Sequence, residues 1–261
     1  MTSKSSKSTT SAKSTPAKST PKSTPKSTKK KSRKSHRRAK RAKRADAATF
    51  TAPNDVVTSP AYRYGTMTPD DCEAELTARK IPFVRETARG VSGPVRLTGP
   101  IRGVEFRTEL AASARATSPW EIASCGLVLA LDDFAEILNK HGIVEVHHYS
   151  MWRPPAKSWP ADKIATRHGG AVAIDTGRFV TKDGSVLDVD KHFHGAIDAK
   201  TCGPGAAPRP ATPEALELRA ILCETVALRI FNVVLTPNYN RPHKNHFHLE
   251  VTSGVKWFLL H

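Results

Sequence analysis

Acidic side chains are missing from the first 45 residues, and so is almost anything apolar. That stretch carries 17 of the chain's 41 lysines and arginines, which leaves 24 basic against 24 acidic residues in 46–261. The formal charge of +17 therefore belongs to the N-terminal stretch. The remainder, by composition, is not a basic nucleic-acid surface. Long apolar runs are absent as well. Nothing approaches the roughly 20 apolar residues of a membrane helix. No apolar segment follows the basic start, so no export signal is expected. Cys-x-x-Cys pairs are missing too: Cys72, Cys125, Cys202 and Cys223 stand singly, which argues against a thiolate zinc cage.

What fills the first 45 residues is low-complexity. Ser-Thr-Pro recurs at 14–16, 19–21 and 23–25, and Lys29–Lys31 and an Arg/Lys cluster from Arg37 to Arg44 follow. With nothing apolar to bury, ordering entropy is not offset and disorder is expected. The segment suits a polyanion such as nucleic acid, anionic lipid or wall polymer, bound through counterion release; the plainer reading is a solvated linker. Ala39 to Ala48 is rich in helix formers and is a candidate to become helical on a polyanion. A Pro- and Thr-containing linker, 46–67, then leads to a single globular part, 68–261.

Element signals in the globular part mix helix and strand. Thr68-Pro69-Asp70-Asp71 opens a short helix from Cys72 to Lys80. Short strands separated by turns follow between Ile81 and Arg107. Ser118-Pro119-Trp120-Glu121 has the form of a helix start. A clearer helix runs from Gly126 to Asn139, with Leu127, Leu131, Phe134 and Leu138 on one face. Ile143 to Tyr149 alternates as a strand. Lys182-Asp183-Gly184 turns Thr176–Thr181 into Ser185–Val189. A Pro-rich loop, 206–213, ends in Thr212-Pro213, a cap and first-turn proline opening a helix to about Arg229. The expected fold is α+β, a small antiparallel sheet with helices on one side.

One stretch concentrates the chemistry. Asn240 to Val251 holds His243, His246 and His248, the last two as His-x-His before an apolar run. Residues two apart on a strand share a face, so His246 and His248 can address one centre. Upstream, His168 leads through Ala171–Ile174, read as a short buried strand, to Asp175. His168, Asp175 and His248 supply two imidazoles and a carboxylate with a fourth position open, the ligand pattern of a catalytic zinc site. The same set also holds Fe(II), but the His-x-Asp pair usual in such iron sites is not found here. His192-x-His194 is a second His-x-His; without an apolar strand beside it, it reads as a rim pair or as accidental. His147 and His148 cannot share a strand face and read as structural.

Thr166-x-His168-x-x-Ala171-x-Ala173-x-Asp175 resembles the Ser-x-His-x-x-Gly-x-Ala-x-Asp motif of D-Ala-D-Ala-type zinc peptidases. His246-x-His248 is similar to the second motif of the wider group that joins them with lysostaphin-type endopeptidases and hedgehog domains. Arg167-His168, Ala173-Ile174-Asp175, Phe231-Asn232, Leu235 to Asn240 and His243 to Glu250 together resemble the bacterial extensin-like C-terminal domain family, over roughly Thr68 to the C-terminus. There are departures: Thr166 stands for Ser, Ala171 for Gly, and Asn245 where some peptidase branches place a glutamate base.

The resemblance implies a hedgehog/D-Ala-D-Ala-peptidase-like fold that holds Zn²⁺ on His168, Asp175 and His248. It also implies hydrolysis of peptide or amide bonds, with peptidoglycan cross-links as the expected substrate. The spacing of His243, His246 and His248 resembles the murein endopeptidase branch, which implies His246 as general base and His243 as a second one. A Tyr-Ser-x-Arg-like family segment matches Tyr149 to Arg153. It implies that Arg153 anchors a substrate carboxylate or polarises the carbonyl under attack. An even set of cysteines implies disulfides in this family. Three pairings are open, Cys72–Cys125 with Cys202–Cys223 being the simplest. Disulfides imply an envelope or extracellular location. Two rival readings stand beside the enzyme: a non-catalytic binding module on the same fold, and a polyanion-binding protein whose tail is its main function.

Overall fold

Hydroxyl side chains set the starts of the four longer helices. In α1 (Pro60–Thr66) Ser59 Oγ accepts the Tyr62 N–H at 3.3 Å. In α2 (Pro69–Ala78) Thr68 Oγ1 accepts from Asp71 at 3.2 Å. In α3 (Cys125–Lys140) Ser124 Oγ accepts from Leu127 at 3.2 Å. In α4 (Pro213–Ala227) Thr212 Oγ1 accepts from Ala215 at 3.2 Å. Three of these helices carry proline at the first turn, where its missing N–H costs nothing. That is why α2 begins at Pro69, ahead of the expected Cys72. The last helix stops at Ala227, short of Arg229, whose φ of 55° leaves the helical region.

The computed structural model describes residues 49–261. The expected disordered tail, its polyanion partner and the Ala39–Ala48 helix lie outside the described residues. The described part is mixed α+β. Its strands are β1 (Thr49–Thr51), β2 (Phe83–Arg85), β3 (Pro94–Leu97), β4 (Glu105–Arg107), β5 (Ile122–Ser124), β6 (Ile143–His148), β7 (Ala173–Thr181), β8 (Val186–Asp188), β9 (Val233–Leu235), β10 (Phe247–Glu250) and β11 (Phe258–Leu260). The main sheet has eight strands in the order β1-β11-β9-β10-β7-β6-β4, with β8 also on β7; β2-β3-β5 form a second sheet.

Three expectations need correction. The main sheet is neither small nor wholly antiparallel, because β4–β6 and β9–β11 run parallel. Most of its strands are three residues long, too short to show alternation in sequence. The segment read as linker carries α1, and β1 pairs with β11 in register Thr49↔Leu260; within it Ser59 is the α1 cap and Pro60 its first-turn proline. The buried strand expected at Ala171–Ile174 begins at Ala173 and runs nine residues to Thr181. Ala171 itself takes φ 52°, ψ 29°, a left-handed conformation that stops any strand from starting earlier.

Helix α3 is buried nearly all round, not on one face alone. Leu127, Leu131, Phe134 and Leu138 are fully covered, but so are Val128, Ala130, Ala135 and Ile137. Its buried acid, Asp132, is satisfied by Arg79 at 3.0 Å and Arg102 at 2.7 Å. A Cβ on Gly126 would lie 2.5 Å from the Tyr64 carbonyl oxygen, so glycine permits the close approach of α1 and α3. Among the described residues no helix is long and apolar enough to cross a membrane.

Cys72–Cys125 and Cys202–Cys223 are disulfide-bonded, and no cysteine is free. The first clips α2 to the start of α3 across 53 residues; the second ties a loop to α4 across 21. On loop-closure entropy, Cys72→Ser/Cys125→Ser should cost about 4 kcal/mol and Cys202→Ser/Cys223→Ser about 3 kcal/mol. Denaturant titration checks the order of the two, and an inverted order would show that entropy is not the controlling factor.

Glu121 is another buried acid under strong local control. Its Oε1 accepts the Thr108 N–H at 2.9 Å and the Thr108 hydroxyl at 2.5 Å; its Oε2 lies 3.4 Å from His148 Nε2. Burial pushes the carboxyl up, but His148 and Thr108 outweigh it and hold the group at about 2. A depressed folded-state pKa adds stability above the unfolded value, lost as pH falls toward the folded one. The stability gap between wild type and Glu121→Gln should therefore shrink by about 2 kcal/mol between pH 6 and pH 3. A gap that stays constant would refute this.

Candidate metal centre

Strand pairing brings the two halves of the centre together. Antiparallel β10 and β7 place His248 directly opposite Asp175, and directly opposed side chains share a sheet face. Phe247 and Leu249, of opposite parity on β10, are fully buried in the core. His168 arrives on a single 3₁₀ turn, Arg167–Gly170, just before β7. That turn is tight: a Cβ on Gly170 would meet the Ala165 carbonyl oxygen at 2.2 Å.

Three ligand-type atoms converge here. His248 Nδ1 lies 2.9 Å from Asp175 Oδ1, His168 Nε2 lies 3.1 Å from the same oxygen, and the two nitrogens are 3.3 Å apart. The outer nitrogens explain the orientation. His168 Nδ1 donates to the Met151 carbonyl at 3.0 Å, and His248 Nε2 donates to Glu250 Oε2 at 3.0 Å. A metal would take both inner nitrogens as lone-pair ligands, replacing the hydrogen bonds they make to Asp175. Three donors roughly 2.0–2.2 Å from one ion at tetrahedral angles lie about 3.3 Å apart, close to what is found. All three residues are buried, and they are the only group of this kind among the described residues.

The surroundings complete the geometry. Asp175 Oδ2 is paired with Arg153 Nη2, which leaves Oδ1 to face the histidines. Arg153 Nε donates to Ser150 Oγ at 2.8 Å, and its backbone N–H donates to the His168 carbonyl at 2.9 Å. Arg153, expected to meet substrate, thus holds the centre's carboxylate while its side chain stays half exposed. His246 Nε2 lies 3.5 Å from Asp175 Oδ1, with Nδ1 2.9 Å from Asn245 Oδ1. His243 stands behind it, ring centroids 5.1 Å apart, with Nδ1 2.7 Å from Asn240 Oδ1. All five expected residues of the centre, and Arg153, are in one place.

A family model described as the extensin-like protein C-terminus matches residues 70–258, most of the chain. The chain belongs to the extensin-like C-terminal family. No curated protein and no solved structure matches it.

In this extensin-like domain the electrostatics follow from burial and pairing. Burial raises Asp175, but hydrogen bonds from His168 and His248 outweigh it and hold the carboxyl far below its usual range. Burial lowers His248, yet Asp175 and Glu250 on either side carry it well above the usual imidazole range. For Glu250, the His248 and Thr252 hydrogen bonds overcome burial and keep it ionised. His246 is pushed down by burial, and His243 is pushed down to about 4 by burial and the neighbouring histidines. Those two rings are therefore neutral proton acceptors at neutral pH.

His192-x-His194 does not join the centre: His192 Nδ1 accepts the Asp188 N–H at 3.1 Å. His148 is buried beside Glu121, a structural place as expected. The sequence reading missed Glu250, Asn245, Asn240 and the Met151 carbonyl. Glu250 was findable, since it stands two residues after His248 on the same strand face. Tyr149 was quoted only as part of its segment. It packs edge-on against His246 at 5.7 Å and takes a hydrogen bond from Asn245 Nδ2 at 3.3 Å. Tyr149 also walls a pocket of ≈ 240 Å³, shared with Trp120, His147 and Arg178, and so joins that pocket to His246.

Proposed function

We propose that this domain hydrolyses peptide or amide bonds with one Zn²⁺ held by His168 Nε2, Asp175 Oδ1 and His248 Nδ1, and that peptidoglycan cross-links are its substrate. The observation that carries the reading is the convergence of two buried imidazole nitrogens and one carboxylate oxygen within 3.3 Å of one another. Such a cage suits a cation, and this donor set is the one catalytic zinc uses. Zinc in such a setting supplies Lewis acidity toward a water or a carbonyl oxygen.

The chain's own residues account for the rest. His246, neutral and 3.5 Å from Asp175 Oδ1, takes the proton from the attacking water and returns it to the leaving amine. Asn245 fixes which of its nitrogens faces the centre. His243 is a second acceptor behind it. Arg153 orients Asp175, and its exposed face is available to polarise the carbonyl. Tyr149 and Trp120 offer aromatic walls for the substrate beside the bond. The likeness to D-Ala-D-Ala-type peptidases, murein endopeptidases and hedgehog domains supports the fold and ligand assignment. Ala171 holds a left-handed φ where those peptidases carry glycine, at a cost of about 1 kcal/mol. Two disulfides fit an oxidising compartment such as the envelope.

The test uses full-length protein: metal content by mass spectrometry, then digestion of purified sacculi with and without chelator. The expected result is zinc together with chelator-sensitive release of muropeptides. Zinc-loaded protein that cleaves no muropeptide or peptide amide from pH 5 to pH 9 would leave the fold as a binding module.

A further inference from the structure

Away from the zinc-type centre, a second pocket of ≈ 400 Å³ is lined by His194, Lys200, Arg209 and Arg219, with small residues such as Gly195 and Ala199 between them and no acid. Arg219 is 7 % exposed. It lies on α4 with its guanidinium 4.2 Å above the Phe193 ring, and makes two long hydrogen bonds, to the carbonyls of Thr201 at 3.3 Å and Phe193 at 3.4 Å. Its Nε has no partner. No carboxylate among the described residues pairs with it, and burial alone pushes its pKa down. A buried guanidinium without an anion is expensive and rare, because the desolvation penalty is offset only by a charge of opposite sign. Asp198 and Glu214 lie in the neighbouring loop and on the first turn of α4, but neither lines the pocket.

The surrounding loop is built, not loose. Cys202–Cys223 staples it to α4 one turn beyond Arg219, the Arg209 N–H meets the His194 carbonyl at 3.4 Å, and the Ala196 N–H meets Asn238 Oδ1 at 2.9 Å. We infer that this pocket binds an anionic group, phosphate or carboxylate, carried on a compact body of about monosaccharide size. Arg219 forms the charged floor, and Lys200 and Arg209, both exposed, form the rim. Guanidinium forks suit both anions. A free phosphate fills only a small part of the space, and the chain's own basic residues 1–45 carry the wrong charge to occupy it.

The experiment is calorimetric titration of full-length protein at 0.15 M NaCl with glucose 6-phosphate, glucuronate and glucose. The variants are Lys200→Ala/Arg209→Ala, Arg219→Met and His248→Ala. At least one anionic sugar should bind and glucose should not; which anion binds tells phosphate from carboxylate as the natural group. The exposed double variant, which has no reason to misfold and keeps the basic tail, should weaken binding at least tenfold, and Arg219→Met by more. His248→Ala should bind like wild type, which separates this pocket from the metal centre and from the hydrolase reading. No binding of either anionic sugar, equal affinity in the double variant, or loss in His248→Ala would each overturn the proposal.

Discussion

Full-length protein purified without chelator should carry about one zinc per chain, and His248→Ala should carry none. The expectation rests on the inner nitrogens of His168 and His248, which lie 3.1 Å and 2.9 Å from Asp175 Oδ1. Removing His248 leaves one imidazole and one carboxylate, too few to hold zinc against water. Glu250→Gln gives a graded version of the same test. Its carboxylate fixes the His248 tautomer at 3.0 Å, and partners in that position typically contribute 10–100-fold to metal affinity. Zinc affinity in Glu250→Gln should therefore fall by about that factor with the fold intact, as judged by circular dichroism. Stoichiometric zinc in His248→Ala, lost instead in His192→Ala/His194→Ala, would move the centre to the other His-x-His.

His246→Ala should keep its zinc and lose hydrolysis by about 10²–10⁴, the usual worth of a positioned proton-transfer group. Its Nε2 faces Asp175 Oδ1 at 3.5 Å, while Nδ1 is engaged by Asn245. His243→Ala should lose less, since the His243 ring packs against the rings of His246 and His248 while its Nδ1 is held by Asn240. Asn245→Ala should fall between wild type and His246→Ala, because His246 then loses the partner that orients it. If zinc leaves together with activity in His246→Ala, this histidine is a ligand and the acid–base role belongs elsewhere.

Much of the site was readable before the fold. His-x-His before an apolar run pointed to a strand with a shared face; β10 begins at Phe247, so His248 lies on it while His246 stands just before it and still reaches Asp175. The five residues of the centre were all in the motif. The supporting atoms were not, with Glu250 the exception that the same two-residue period could have found. Asn240 and Asn245 look like ordinary turn residues, and the Met151 carbonyl has no side-chain signature at all. Arg153 was legible as a residue of the site. Its partner was not, because nothing near it in sequence shows that Asp175, 22 residues on, would claim it. Arg219 reads as one polar residue on an amphipathic helix; its burial follows from a loop held against α4 by Cys202–Cys223.

The sequence by itself determined the division of charge between 1–45 and the rest, the starts of the three longer helices beyond residue 68, the 182–184 hairpin turn and the place of His248 on a strand. Each depends on interactions within a few residues: a hydroxyl capping an N–H, a proline with no N–H to lose, a two-residue strand period. Only the tertiary structure decided the mixed eight-stranded sheet, the pairing of the 49–51 strand with the C-terminal one, and the register that sets His248 opposite Asp175. Those arrangements join residues dozens to hundreds of positions apart. Three-residue strands carry too little local pattern to choose their partners, so the choice falls to how the core packs around α3.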